Sequence, residues 1–252
     1  MSFQLRIETI PIKPDNYSYL ITSGDSAVLV DASDAAPVLD FLQTRNVKLS
    51  AVLSTHHHSD HTLGNEELKD KTGCSIFAMD SRVRGVDRIV NDGENFSLNG
   101  IELKAIHVPG HTRHQASFYL ESAKSLFTGD TLFGAGCGRV FEGGPDQMYN
   151  SLEKCASFPD ETKVYFGHEY TLENLQFALT VEPDNKDIVA RMEMVRKAVS
   201  AGGYSTPSTV LEEKRTNPFL RCREKSIRKY LGMVDRSPVA VFTELRRRKD
   251  VF

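Results

Sequence analysis

A chain of 252 residues, 40 % of them apolar, can bury an ordinary globular core, and no run approaches the roughly 18 consecutive apolar residues that would cross a membrane. A net charge of −3 argues against a general nucleic-acid binder, and the start Met1-Ser2-Phe3-Gln4-Leu5 lacks the apolar stretch of a secretory signal. Cys74, Cys137, Cys155 and Cys222 are too scattered for a disulfide framework and are expected as free thiols of a cytoplasmic protein.

Residues 3–9, 18–23 and 26–31 read as short strands, separated by the turn formers Pro14-Asp15-Asn16 and Gly24-Asp25. Residues 35–45 have helical spacing, with Val38, Phe41 and Leu42 on one face. Ser50 to Thr55 is a buried strand, and a helix over 62–72 stops at Gly73. Strands follow near 75–79, 101–107, 116–121 and 124–128, then a helix near 146–156 and a strand at 162–166. From about 171 the texture becomes helical, with periodicity over 171–180, 185–201 and 236–249. This predicts a boundary near 170–175, dividing the chain into 1–172 and 173–252. Residues 171–252 hold 16 Lys and Arg against 11 Asp and Glu, an excess of five that leaves eight negative charges over the remainder to reach −3. A basic end suits a small anion, and equally an ordinary solvated helical surface. Two sheets packed face to face with helices outside would bury both inner faces, although composition alone does not separate this from an ordinary α/β layer.

The chemistry concentrates in His56-His57-His58-Ser59-Asp60-His61, which holds four of the eight histidines and directly follows the apolar run Ala51-Val52-Leu53. Imidazole and carboxylate suit zinc and other borderline divalent ions. His56 and His58, two apart at a strand end, face one way, so His57 is left out of the ligand set. His111 in Val108-Pro109-Gly110-His111-Thr112, Asp130 at the end of Ser125-Leu126-Phe127-Thr128-Gly129, and His168 after Val164-Tyr165-Phe166-Gly167 are the other candidates. Each alone has a structural explanation, such as a helix cap for Asp130. Together they make two sets: His56, His58 and His111, and Asp60, His61 and His168. Asp130 can join both, giving seven ligands for two metals with a water between them. A solvated histidine-rich loop is the plain alternative. No Cys-x-x-Cys pair supports a zinc finger.

Thr55-His56-His57-His58-Ser59-Asp60-His61 resembles the THxHxDH motif of the metallo-β-lactamase fold superfamily. Within it, Gly129-Asp130-Thr131-Leu132-Phe133, Gly136-Cys137-Gly138-Arg139, Gly167-His168-Glu169-Tyr170-Thr171 and Asn217-Pro218-Phe219-Leu220-Arg221 are similar to the glyoxalase II family, the hydroxyacylglutathione hydrolases. Asp15-Asn16-Tyr17 and the closing Leu245-Arg246-Arg247-Arg248-Lys249-Asp250 also fit, so the resemblance spans essentially the whole chain. It implies an αββα sandwich of α/β class with a C-terminal helical domain. It implies two divalent ions, zinc first with iron or manganese as alternatives, on the seven ligands above. It implies hydrolysis of S-D-lactoylglutathione to glutathione and D-lactate by metal-bound hydroxide, the second step of methylglyoxal detoxification, with Asp60 and Asp130 catalytic. Arg139, Phe141, His168, Tyr170, Arg246 and Lys249 would then meet glutathione, in a protein expected to be monomeric, without nucleic-acid or membrane partners.

The chain departs from the family pattern at named places. Phe141 stands where tyrosine is common, His114-Gln115 where Gly-His is usual, Leu63 where glycine is usual, and Asp31-Ala32-Ser33 replaces Asp-Pro-Gly. No departure touches a proposed ligand. Other enzymes of the fold, such as a lactonase, a β-lactamase or a glutathione persulfide dioxygenase, are the rival readings. A di-iron redox protein or a non-catalytic glutathione-binding module are rivals of another class. A cysteine acyl-enzyme through Cys137 is disfavoured because no histidine lies near it in sequence.

Overall fold

The computed structural model describes residues 5–12 and 15–252. The start of the first expected strand, at residues 3–4, and Pro14 of the first expected turn lie outside the described residues.

Strands β1 (Arg6–Ile12), β2 (Asn16–Ser23) and β3 (Ser26–Val30) form an antiparallel meander. The first strand runs later than its apolar pattern suggested, through Pro11. Pro11 is tolerated because β1 is an edge strand, where a missing N–H leaves no ladder bond unmade. Helix α1 (Ala35–Arg45) then crosses over to β4 (Lys48–Ser54), which runs parallel to β3. Asp34 caps α1, its Oδ1 accepting from the Ala36 N–H at 3.0 Å. The short α2 (Ser59–Thr62) and α3 (Asn65–Thr72) make the next crossover to the parallel strands β5 (Ser75–Ala78) and β6 (Arg88–Ile89). Gly73, in the left-handed region, ends α3 as expected.

The second sheet starts with β7 (Asn95–Leu98), β8 (Ile101–His107), β9 (Ala116–Leu120) and β10 (Ser125–Gly129), paired antiparallel in sequence. A small hairpin, β11 (Leu132–Phe133) and β12 (Gly136–Cys137), precedes α4 (Pro145–Ala156) and β13 (Lys163–Phe166). Helices α5 (Thr171–Val181) and α6 (Lys186–Ser200) follow, then β14 (Ser208–Thr209), α7 (Val210–Thr216), α8 (Lys225–Leu231) and α9 (Pro238–Lys249). Strands β10-β9-β8-β7 are neighbours in that order, and β13 pairs antiparallel with β14.

The chain divides into two compact units, one of the described residues up to His107 with His114–Gly129, the other of Val108–Arg113 with Asp130–Phe252. In the first unit, one face of the first sheet packs Leu29, Val52 and Ile76 under Val38 and Leu42 of α1 and Leu68 of α3. Its other face meets the second sheet. Tyr19 of β2 lies 5.7 Å from Phe127 of β10, and Phe77 of β5 stacks on Phe96 of β7 at 5.9 Å. Burial on both faces leaves β2, β3 and β4 buried along nearly their whole length, and explains why β3 and the end of β4 read as apolar runs and not as alternating ones. In the second unit, Leu175 and Ala178 of α5 pack on Ile188, Met192 and Val195 of α6, with Ala135. Among the described residues no helix is long and apolar enough to cross a membrane, and all four cysteines are free and buried.

Two strand ends approach closely in the first unit. A Cβ on Gly129, whose φ is +49°, would fall 2.4 Å from Thr55 Oγ1. Gly129→Ala combines overpacking with a left-handed backbone. It is expected to cost about 1–3 kcal/mol in urea unfolding of metal-free protein, and wild-type stability would refute the close approach.

Candidate metal centre

Strand β4 delivers the histidine cluster. The chain leaves the sheet after Ser54 and enters α2 at Ser59. His56 Nε2 and His58 Nδ1 stand 3.1 Å apart, whereas His57 turns to Asp80, its Nδ1 3.2 Å from Oδ2. His56 and His61 are fully buried; Asp60 is half exposed, its Oδ2 3.7 Å from His61 Nε2. Asn16 donates through Nδ2 to the Asp60 main-chain oxygen at 2.9 Å, fixing the start of α2.

Beneath this cluster lies Asp31, buried and at φ 57°, a left-handed conformation that aspartate tolerates better than most residues. Its Oδ1 accepts the Thr55 N–H at 2.7 Å and its Oδ2 accepts the Thr55 hydroxyl at 2.9 Å. His61 Nδ1 is 2.8 Å from the same Oδ2 and donates to it. With its proton given to Asp31, Thr55 Oγ1 accepts from His56 Nδ1 at 3.0 Å. The network therefore assigns both imidazoles the Nδ1–H tautomer and leaves the lone pair on Nε2, the form that ligates a metal. Asp31 ends an apolar strand, the same signal that singled out Asp130, but its bonds to Thr55 and His61 escaped the sequence reading.

In the second unit, Asp130 follows β10, His111 sits in the turn after β8, and His168 follows β13. All three are buried. A single oxygen, Asp130 Oδ2, is 3.4 Å from both His111 Nε2 and His168 Nε2. One carboxylate oxygen thus faces both rings. His111 Nδ1 donates to the Arg139 carbonyl at 2.9 Å, again leaving Nε2 for a ligand. Gly138 makes room for this arrangement, since a Cβ there would lie 2.1 Å from the Asp130 main-chain oxygen. Tyr170 stacks on His168 with centroids 4.8 Å apart, and Phe133 meets both rings edge-on.

Among the described residues, the side chains able to hold a metal ion include His56, His58, Asp60 and His61 of the first unit and His111, Asp130 and His168 of the second. Donors 2.0–2.1 Å from a tetrahedral zinc stand roughly 3.3 Å from each other. The observed separations of 3.1 and 3.4 Å match that spacing, and the mixed imidazole and carboxylate set suits a borderline divalent ion.

The other residues singled out from the sequence have distinct surroundings. Arg139 is largely exposed, with Nε 4.0 Å from Asp250 Oδ1. Phe141 is exposed, its ring 5.2 Å from His111. Arg246 is buried and donates to the Cys137 carbonyl at 2.8 Å and to Asp250 at 2.9 Å. Lys249 pairs with Glu173 and lies over the Phe177 and Phe252 rings. Arg247 and Arg248 both hydrogen-bond Glu244 and hold its carboxyl down at about 2. Burial pushes the Cys137 thiol up to about 11 against the pull of Arg246, so it is protonated at neutral pH and ill suited as a nucleophile. Gln115 is buried and donates to the Thr128 carbonyl at 3.4 Å, and His114 is exposed. The exposed Leu63 lines a cavity of about 630 Å³ together with Ile12, Asn16 and Asp60.

In comparisons with known proteins, residues 169–252 match the family described as "Hydroxyacylglutathione hydrolase C-terminus", and residues 14–84 and 79–168 match the "Metallo-beta-lactamase superfamily". The hydroxyacylglutathione hydrolases of Brucella ovis and Brucella abortus are each 44 % identical over 257 aligned positions, covering 100 % of this chain and of the relative. Among solved structures, ETHE1 from Myxococcus xanthus has a TM-score of 0.67 at 23 % identity, covering 96 % of both chains. The BLEG-1 B3 metallo-beta-lactamase has a TM-score of 0.65 at 20 % identity, covering 85 % of this chain and 99 % of its own. These two likenesses show the metallo-β-lactamase fold, an αββα sandwich.

Removing the carboxylate under the cluster tests the tautomer network. Asp31→Ala is expected to weaken zinc binding roughly 10–100-fold in a chelator competition. Unchanged affinity in a folded variant would show that Asp31 does not orient the ligands.

Proposed function

Because the chain belongs to the hydroxyacylglutathione hydrolases, a family of the metallo-β-lactamase superfamily, we propose that it cleaves S-D-lactoylglutathione and related 2-hydroxyacylglutathiones to glutathione and the free 2-hydroxy acid. The protein is a metal-dependent hydrolase of the metallo-β-lactamase fold. The observation that carries the reading to particular residues is the fixed tautomer of His56, His61 and His111, each with Nδ1 bonded to a protein oxygen.

In this proposal His56, His58 and His111 hold one divalent ion, and Asp60, His61 and His168 hold a second. Asp130 would serve both. Zinc is the first choice, and the donor set accepts iron or manganese. When bound, such ions lower the pKa of a coordinated water from about 15.7 to about 7 and polarise the thioester carbonyl. Asp60, anchored by Asn16 and half exposed, accepts at Oδ2 the proton released as the carbonyl carbon is attacked. The sulfur leaves as thiolate without a strong general acid, because an ordinary thiol has a pKa near about 8.5. No protein nucleophile is required, in keeping with a protonated Cys137.

For glutathione, Arg139 is the most open cation, and Phe141 and Tyr170 offer rings beside His111 and His168. Lys249 would exchange Glu173 for a glutathione carboxylate, and Arg246 would act through the loop whose carbonyl it holds. Residues 1–172 are assigned the catalytic domain and 173–252 the helical substrate-binding domain. A monomer in a reducing cytoplasm, without nucleic-acid or membrane partners, completes the reading.

Turnover of S-D-lactoylglutathione by metal-replete protein, run beside the lactoyl thioester of N-acetylcysteamine, tests the substrate. Fast hydrolysis of the first and little of the second is expected. Equal rates would make this a general metallo-thioesterase, and no hydrolysis of either with two metals bound would sink the reading and point to oxygen consumption with glutathione persulfide. Asp130→Ala is expected to lose most activity; wild-type turnover with two metals still bound would remove its proposed role.

A further inference from the structure

The hairpin β11–β12 is held by side chains that the reaction itself does not use. Thr131 to Gly138 are all buried, so their main-chain polar groups need partners inside the protein. The hairpin pairs Leu132 with Cys137 and Phe133 with Gly136, leaving a two-residue turn, Gly134-Ala135. Ala135 sits at φ 54°, a left-handed conformation that L side chains disfavour. Its N–H donates to Glu213 Oε2 at 2.8 Å. The Gly134 carbonyl accepts from Asn174 Nδ2 at 3.0 Å, and the Gly136 carbonyl from Asn217 Nδ2 at 2.9 Å. Asn217 Nδ2 is also 3.1 Å from Glu213 Oε2, so the two clamping side chains support one another.

The clamp has a charged base. Arg191, 2 % exposed, donates through Nη2 to Glu213 Oε1 and through Nη1 to Thr216 Oγ1, both at 2.6 Å. Glu213 and Asn217 are fully buried. Their polar atoms bond to the hairpin, to Arg191, to each other and to the Phe219 N–H. A buried ion pair of this kind contributes little net stability relative to well-packed apolar residues, so its presence asks for another reason.

The two ends of the hairpin supply that reason. Asp130 immediately precedes it, and the Gly138-Arg139 segment that follows it presents the carbonyl to which His111 donates at 2.9 Å. Phe133, within it, packs edge-on against His168, with centroids 5.9 Å apart. We propose that Glu213 and Asn217, with Arg191 behind them, are positioning residues for the hydrolytic site: by fixing this hairpin they set Asp130 Oδ2 and the Nε2 atoms of His111 and His168 at ligand spacing. The inference rests on the hydrolase reading above and assigns three side chains of the helical segment, none of them a ligand, a role in metal retention and turnover.

The test uses full-length Asn217→Ala, Asn217→Ser, Glu213→Gln and the double variant Arg191→Met/Glu213→Leu, which replaces the buried pair with apolar side chains. Each is assayed for unfolding in urea, for zinc affinity by chelator competition, and for kcat and KM with S-D-lactoylglutathione. Folded variants are expected to bind zinc roughly 10–100-fold more weakly and to lose kcat by a similar factor, with KM little changed, whatever their unfolding midpoint. Asn217→Ser, which retains a short donor, should fall between Asn217→Ala and the parent. Any folded variant with parental zinc affinity and kcat would overturn the proposal, as would losses that merely track the unfolding midpoint across the series. Parental protein that binds zinc but does not hydrolyse the thioester would refute the substrate reading, while the zinc affinities would still decide the positioning role.

Discussion

An imidazole is held ready to bind a metal through one nitrogen when a partner fixes the proton on the other, and the structure around the histidine cluster is arranged to meet that requirement. Asp31 is the centre of it in the first unit. One buried carboxylate takes a main-chain N–H and a hydroxyl from Thr55 and an N–H from His61, and the committed hydroxyl in turn orients His56. The same residue ties the end of β3 to the end of β4, since its own N–H donates to the Leu53 carbonyl at 2.9 Å. The left-handed backbone at Asp31 is strain placed where it aims a side chain. His111 meets the requirement differently, through the main-chain carbonyl of Arg139.

The second unit shows how polar groups and charge are used away from the ligands. The run Arg246 to Lys249 looks in sequence like an open anion-binding strip. In the structure every member has an acidic partner: Asp250 for Arg246, Glu244 for Arg247 and Arg248, and Glu173 for Lys249. An excess of positive charge is therefore not the same as unpaired positive charge. Arg246 is also a structural tie, because its guanidinium holds the Cys137 carbonyl at 2.8 Å. Buried charge at Arg191 and Glu213 is better understood through shape than through stability, since the transfer cost of both ions offsets their attraction.

Much of the fold was legible. Strands β2 to β5 and β8 to β10, and helices α1, α4, α5, α6 and α9, fall close to their expected ranges, because a segment buried on a sheet or packed on one helical face repeats its apolar residues at the period of that structure. The elements that escaped are short. Strands β6, β11, β12 and β14 have two residues each, and α7 and α8 have seven, too few for a period to show. Strand β1 runs on through Pro11, beyond its expected end, and only the edge position of that strand makes the proline harmless.

By itself the sequence determined the donor chemistry. The spacing of His56 and His58, the strand-end positions of Asp130 and His168, and the family motifs name the residues because ligand type and local alternation are properties of the chain itself. Tertiary structure alone decided which atom of each residue is offered. That Asp130 turns one oxygen to both His111 and His168, that Asp31 fixes the tautomers of residues up to 30 positions away, and that Glu213 reaches back 78 positions to the Ala135 N–H are outcomes of long-range packing. No local period encodes them, because a buried polar atom takes the partner that the fold brings within hydrogen-bonding distance, wherever that partner lies in the sequence.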